Sequence, residues 1–156
     1  MNNTFKLIIA IIIPVAVGAI SGFFTATGVE SWYQTINKPS WNPPGWIFGP
    51  VWTTLYVMMG IALFLVWKSD SSDVLKKTAI ALFAIQLILN FFWSFIFFDQ
   101  QQIGWALVEI IVMWVFILLT IFAFGNVSKL AAWLLVPYIS WVSFATILNY
   151  TIWKLN

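Results

Sequence analysis

The chain has 156 residues, 62% of them hydrophobic and 8% charged, with a mean hydropathy of +0.96; a soluble domain carries about 25% charged residues, so a water-soluble globule is excluded. Seven Lys+Arg against five Asp+Glu leave a net charge of +2, too small and too scattered for a nucleic-acid surface. Without Cys or His there is no disulfide, thiol nucleophile, Cys/His zinc site or His-ligated haem, and neither a metal nor a resident cofactor is expected.

A bilayer core of roughly 30 Å needs about 20 apolar helical residues. Five such runs are legible: Leu7–Thr27, Ile47–Trp67, Thr78–Phe98, Ile103–Phe124 and Leu130–Trp153. The expected fold class is therefore an all-α membrane protein, a five-transmembrane-helix bundle forming one domain over residues 1–156. The joints Lys68–Lys77, Asp99–Gln102 and Gly125–Lys129 are short enough for antiparallel neighbours.

In the first span Gly18 and Gly22 form a G-x-x-x-G pair, which permits close helix approach and is a weak pointer to a dimer seam. A signal peptide is disfavoured, because the run is long and lacks a small-x-small cleavage site. The connection over residues 28–46 differs from the other joints. Here Pro39, Pro43 and Pro44, with Pro50 just beyond, cluster with Trp32, Tyr33, Trp41 and Trp46, and supply four of the six prolines. Prolines fix φ and aromatic rings supply packing area, so the segment reads as a structured lid over the bundle mouth, or else as an interfacial loop of belt aromatics.

In the second span Gly49, Trp52, Tyr56 and Gly60 share a helix face. The third carries Gln86, Asn90 and Ser94 at i, i+4, i+8 with Trp93 beside them. Amides are costly in lipid, so this stripe should face other helices or a cavity. Glu109 in the fourth span is the only acid inside a span; without a basic partner and near the span's start, it reads as a hydrated or hydrogen-bonded structural acid more readily than as a proton relay. The fifth aligns Tyr138, Trp141, Ala145, Leu148 and Asn149, with Pro137 kinking its start. Of the 11 Trp residues, Trp67, Trp133 and Trp153 are belt candidates, whereas Trp52, Trp93 and Trp141 share faces with small or polar residues and are expected to line a cavity. Lys6, Lys68, Lys76, Lys77 and Lys129 fall on one side and Lys38 and Lys154 on the other, which places the N-terminus in the cytoplasm.

These residues resemble the translocator protein family, also called tryptophan-rich sensory proteins or peripheral-type benzodiazepine receptors. The resemblance rests on Trp32-Tyr33, on Lys38-Pro39-Ser40-Trp41-Asn42-Pro43-Pro44, and on Gly49 to Tyr56 with Met59-Gly60. Gln86-Leu87, Leu89-Asn90, Trp93, Gly104 to Leu107, Pro137-Tyr138, Trp141, Phe144 to Thr146 and Leu148-Asn149 extend it along the chain. It implies a bundle, commonly a homodimer, whose cavity beneath the first loop binds porphyrins and isoquinoline or benzodiazepine-type ligands. Carried over by position, ligand contacts come from Gly22, Trp52, Asn90, Trp93, Trp105, Ala145 and Leu148, with Tyr33, Pro43 and Ile47 near the roof. The family's loose sterol pattern is met by Leu148, Tyr150 and Lys154, a motif of hypothesis grade.

The leading functional expectation is thus a membrane receptor or carrier for tetrapyrroles such as protoporphyrin or haem-like rings, with membrane lipid as its surroundings and a sterol as a weaker candidate partner. The alternative is light-dependent porphyrin degradation, in which Trp52 and Trp141 are the oxidisable residues. A proton-coupled transporter using Glu109 is the third reading.

Overall fold

The computed structural model describes residues 1–156. It is all helical, with five helical stretches long and apolar enough to cross a membrane. Helix α1 (Asn3–Glu30) is followed by the lid segment, α2 (Phe48–Trp67), α3 (Asp73–Ser94), α4 (Ile103–Gly125) and the pair α5 (Lys129–Leu134) and α6 (Val136–Leu155). Large apolar side chains such as Ile12, Ile20, Phe23, Ile88, Val108 and Phe122 point outward, as expected of a bundle solvated by lipid.

Several helices outrun the apolar runs that announce them. Hydropathy marks the hydrocarbon core, whereas a helix ends where its backbone groups are capped. Asn2 Oδ1 accepts from the Phe5 N–H at 2.9 Å and starts α1 early. Ser72 Oγ accepts from the Leu75 N–H at 3.4 Å, so α3 begins at Asp73 and the joint before it contracts to Lys68–Ser72. The fifth span is broken rather than kinked: Pro137 sits in the first turn of α6, where its missing N–H costs no helical bond, and α5 is a separate short helix capped by Ser128.

Helix α1 packs chiefly on α2, α3 on α4, and α4 on α5 and α6. Two packed regions result. The larger is centred on Met59, Val66, Ile117, Phe124, Tyr138 and Val142; the smaller, under the lid, joins Tyr33, Phe97, Phe98, Ala106, Leu148 and Ile152. A π-helical turn over Phe95–Asp99 ends the third span, and its widened repeat lets the consecutive Phe97 and Phe98 both turn inward. The candidate site lies where the two regions meet.

Candidate functional site

The lid is held by its own side chains. The Tyr33 hydroxyl donates to Asn42 Oδ1 at 2.6 Å, and Lys38 Nζ donates to the carbonyls of Tyr33 and Ile36 at 2.6 and 3.1 Å while lying 4.9 Å from the centre of the Tyr33 ring. Trp32 meets Phe97 edge-on at 5.6 Å, and Trp41 meets Phe144 at 5.8 Å. Burial pushes the Tyr33 phenol up to about 12. Between the ordinary phenol value and this one, the folded lid holds a proton that the opened lid releases, so its stability falls as pH rises through that interval. Tyrosinate absorbance should lose one late-titrating phenol in Tyr33→Phe; an equal late amplitude in both proteins would remove this assignment.

Beneath the lid is a narrow aromatic cavity with ≈ 30 Å³ of free volume, walled by Tyr33, Phe48, Trp52, Trp93, Phe97, Trp141, Phe144, Ala145 and Leu148. That holds about two waters and no flat ring. Trp93 is fixed by donating Nε1–H to Asn149 Oδ1 at 3.0 Å, while Asn149 Nδ2 donates to the Ile103 carbonyl at 3.0 Å. The Trp141 indole N–H is buried without a partner.

Beside this cavity, between α1 and α2, runs an open groove of ≈ 720 Å³. Gly18, Ala19, Gly22 and Ala26 form its α1 wall and Gly45, Trp46, Gly49, Trp52, Thr53 and Tyr56 its other side. Thr25, Phe48 and Trp52 belong to both spaces, so the rings of Phe48 and Trp52 partition groove from cavity. Small residues on α1 create the groove because no side chain fills it; a Cβ built on Gly22 meets nothing within 4 Å.

The polar stripe of α3 is buried. Asn90 Oδ1 accepts from the Tyr56 hydroxyl at 2.5 Å, Asn90 Nδ2 donates to Tyr138 Oη at 2.9 Å, and Tyr138 donates to Gln86 Oε1 at 2.7 Å. This network joins α2, α3 and α6 below the cavity. Both ends of the Asn90 amide are therefore engaged within the bundle, and Asn90 lines neither space.

The other carried-over positions divide. Tyr33, Trp52, Trp93, Ala145 and Leu148 meet at the inner cavity, together with Trp141, and Gly22 lies in the groove. Trp105 does not join them: it is 69% exposed on the outer surface of α4, where an indole suits the lipid boundary. Pro43 and Ile47 shape the lid and the entry to α2 without lining either space. The sterol pattern is split by the helix. Leu148 faces the interior, whereas Tyr150 is exposed with Lys154 Nζ 6.0 Å from its ring centre. Both carboxyl oxygens of Glu109 are buried with no protein hydrogen-bond partner, on a flank of α4 one turn from buried Ala106 and Met113. Gly18 of the G-x-x-x-G pair serves this chain's own packing, because a Cβ there would lie 2.3 Å from the Tyr56 ring.

Phe48, Phe97, Phe144 and Ile152 also line the cavity and were not singled out by pattern. Phe97 is turned inward by a π-helical turn that periodicity does not foresee, and Phe48 by the entry angle that Pro44 sets. Asn149 carried a signal, being a polar residue four positions after Ala145 on the same face.

Residues 10–154 match the model of the TspO/MBR family. The tryptophan-rich protein TspO of Chlorobaculum tepidum is 50% identical over 145 residues, covering 90% of this chain and 89% of that one. The protein of the same name from Archaeoglobus fulgidus is 42% identical over 154 residues, 99% of each chain, and the translocator protein of Homo sapiens is 45% identical over 126 residues, 80% of this chain and 75% of its own. The match reaches into all five spans, and the chain belongs to the TspO/MBR family of integral, multi-pass membrane proteins.

Proposed function

We propose that the protein is a membrane receptor or carrier for flat hydrophobic molecules of the tetrapyrrole class, and that isoquinoline or benzodiazepine-type compounds compete for the same place. The observation that carries this reading is the groove between α1 and α2. Its ≈ 720 Å³ falls within the roughly 300–1,000 Å³ of small-molecule sites, and Trp52 and Trp46 offer ring faces within it. The narrow aromatic cavity is its deeper continuation, reached when Phe48 and Trp52 turn aside. In this reading the lysine distribution puts the N-terminus in the cytoplasm and the lid on the opposite side, and the outward apolar faces allow a homodimer.

Quenching of Trp fluorescence by protoporphyrin in the dark tests it. Wild type should quench saturably, and Trp52→Ala, which strips the shared wall, should weaken binding by about tenfold or more. Trp141→Ala should weaken it too if the ring reaches the inner cavity. Linear quenching that is the same in all three proteins means that the porphyrin only partitions into detergent, and the ligand class then falls.

The stack of Trp52 on Tyr56, 5.6 Å between centroids at 28°, favours a second reading, light-dependent breakdown of the bound ring, since two oxidisable side chains then lie in series beside the ligand. Illumination of the complex should yield a modified porphyrin faster than the free compound decays, and Trp52→Phe should slow it. Equal rates leave a binder. The transporter reading rests on Glu109 alone, and uptake into vesicles that survives Glu109→Gln would end it.

A further inference from the structure

Where the lid passes the end of α6, two asparagines far apart in sequence lock together. The Asn37 backbone N–H donates to Asn156 Oδ1 at 3.0 Å, and Asn156 Nδ2 donates to the Asn37 carbonyl at 2.8 Å. Asn37 Nδ2 donates to the Leu155 carbonyl at 3.1 Å, and Asn156 Nδ2 also donates to Ile152 O at 2.8 Å. The Asn156 amide is thus oriented by its partners, since its oxygen faces a donor and its nitrogen two acceptors. A pair of backbone bonds to one side chain is the pattern by which a strand neighbour would hold Asn37, here supplied by a single residue.

Nothing else ties this stretch of the lid to α6 by hydrogen bonds; the remaining anchors are ring contacts and bonds within the lid itself. Ile152, whose carbonyl the same amide holds, lines the aromatic cavity, as does Tyr33 from the lid side. The clasp therefore closes the loop between the lid and the cavity wall at the water-facing end of the bundle.

We propose that Asn37 and Asn156 form a clasp whose opening sets the rate at which the aromatic cavity is exposed to the aqueous side. This assigns a regulatory element to the site proposed above and rests on that reading for its biological meaning. The clasp is polar and partly solvent-exposed, so water competes for each bond, and its opening is an accessible fluctuation rather than an unfolding event.

The absence of native cysteine makes a ligand-free test direct. In Ala145→Cys, the single thiol lies in the cavity wall, and its alkylation by a charged, membrane-impermeant maleimide in a lipid nanodisc reports opening from the water side only. Adding Asn156→Ala removes the clasp's two bonds to the Asn37 backbone, and labelling should accelerate about tenfold. Asn156→Asp keeps the acceptor and loses the donor, and Asn37→Ala loses only the bond to Leu155; both should give smaller increases. Labelling at the Ala145→Cys background rate in Asn156→Ala overturns the clasp. Protoporphyrin dissociation is then measured in the same variants with Ala145 restored. Faster labelling with unchanged dissociation, or with no saturable binding even in wild type, leaves the clasp standing and instead overturns the ligand route or the ligand class proposed above.

Discussion

Gly60→Val should lower the thermal unfolding midpoint of the solubilised protein substantially, whereas Gly22→Val should leave it nearly unchanged. A Cβ on Gly60 would lie 2.5 Å from the Ile11 Cα and 2.9 Å from the Ala10 carbonyl oxygen. These are backbone atoms of α1 and cannot rotate away, so α1 and α2 must separate along their contact. Overpacking of this kind costs about 1–3 kcal/mol, and the better helix propensity of a non-glycine residue returns less than about 1 kcal/mol. At Gly22 a Cβ enters the open groove and meets nothing within 4 Å. The two variants therefore separate stability from binding: Gly60→Val destabilises the bundle, and Gly22→Val fills the proposed site and weakens ligand binding in a folded protein. Equal midpoints for wild type and Gly60→Val, followed by circular dichroism, would show that the α1–α2 contact is looser than the close approach requires.

The same contrast shows what the sequence could and could not disclose. Five charge-free apolar runs of about 20 residues dictate five helical spans, because a helix satisfies its backbone groups within the segment and that length crosses the hydrocarbon. The inward stripe of Gln86, Asn90 and Ser94 was legible for the same reason: amides avoid lipid. What those amides bond was not legible, since Tyr56 and Tyr138 come from other helices whose rotation is set by packing. Asn90, which the family resemblance offered to a ligand, is consumed by those two phenols.

Helices α1, α3 and α5 start outward of the apolar runs for a local reason, since caps at Asn2, Ser72 and Ser128 act through single side chains that hydropathy averages away. The groove was hidden in a subtler way. Glycine and alanine on α1 signal close approach, and Gly18 uses that property against Tyr56, but Gly22 one turn later meets empty space. Spacing alone does not distinguish a glycine that admits a neighbour from one that leaves room for a ligand. Trp105 failed for the converse reason: its neighbour Ala106 is fully buried while Trp105 looks outward, a rotation of one residue along α4.

Asn90→Leu should be the most damaging isosteric change in the polar core, and its effect should shrink when Tyr56 is also Phe. The single variant leaves the Tyr56 hydroxyl without its acceptor and deprives Tyr138 of a donor, in a region where Asn90 is 3% exposed and Tyr138 1%. A buried unsatisfied hydroxyl costs about 1–3 kcal/mol in soluble proteins, whereas interhelical hydrogen bonds in membranes average about 0.6 kcal/mol. Two bonds lost together should therefore cost roughly 1–3 kcal/mol, the upper end applying if water does not reach the hydroxyls. Tyr56→Phe alone orphans Asn90 Oδ1, but Asn90→Leu with Tyr56→Phe removes both partners and leaves no broken bond between them. A double-mutant cycle on thermal or denaturant stability should return a coupling of about 1 kcal/mol. Strict additivity would mean that the 2.5 Å contact contributes nothing specific. The coupling has a functional consequence, because Tyr56 supports the ring of Trp52 by stacking and Trp52 divides groove from cavity. If the network holds Tyr56 in place, Asn90→Leu should weaken protoporphyrin binding even though Asn90 touches neither space, and restoring Asn90 should restore both stability and affinity together.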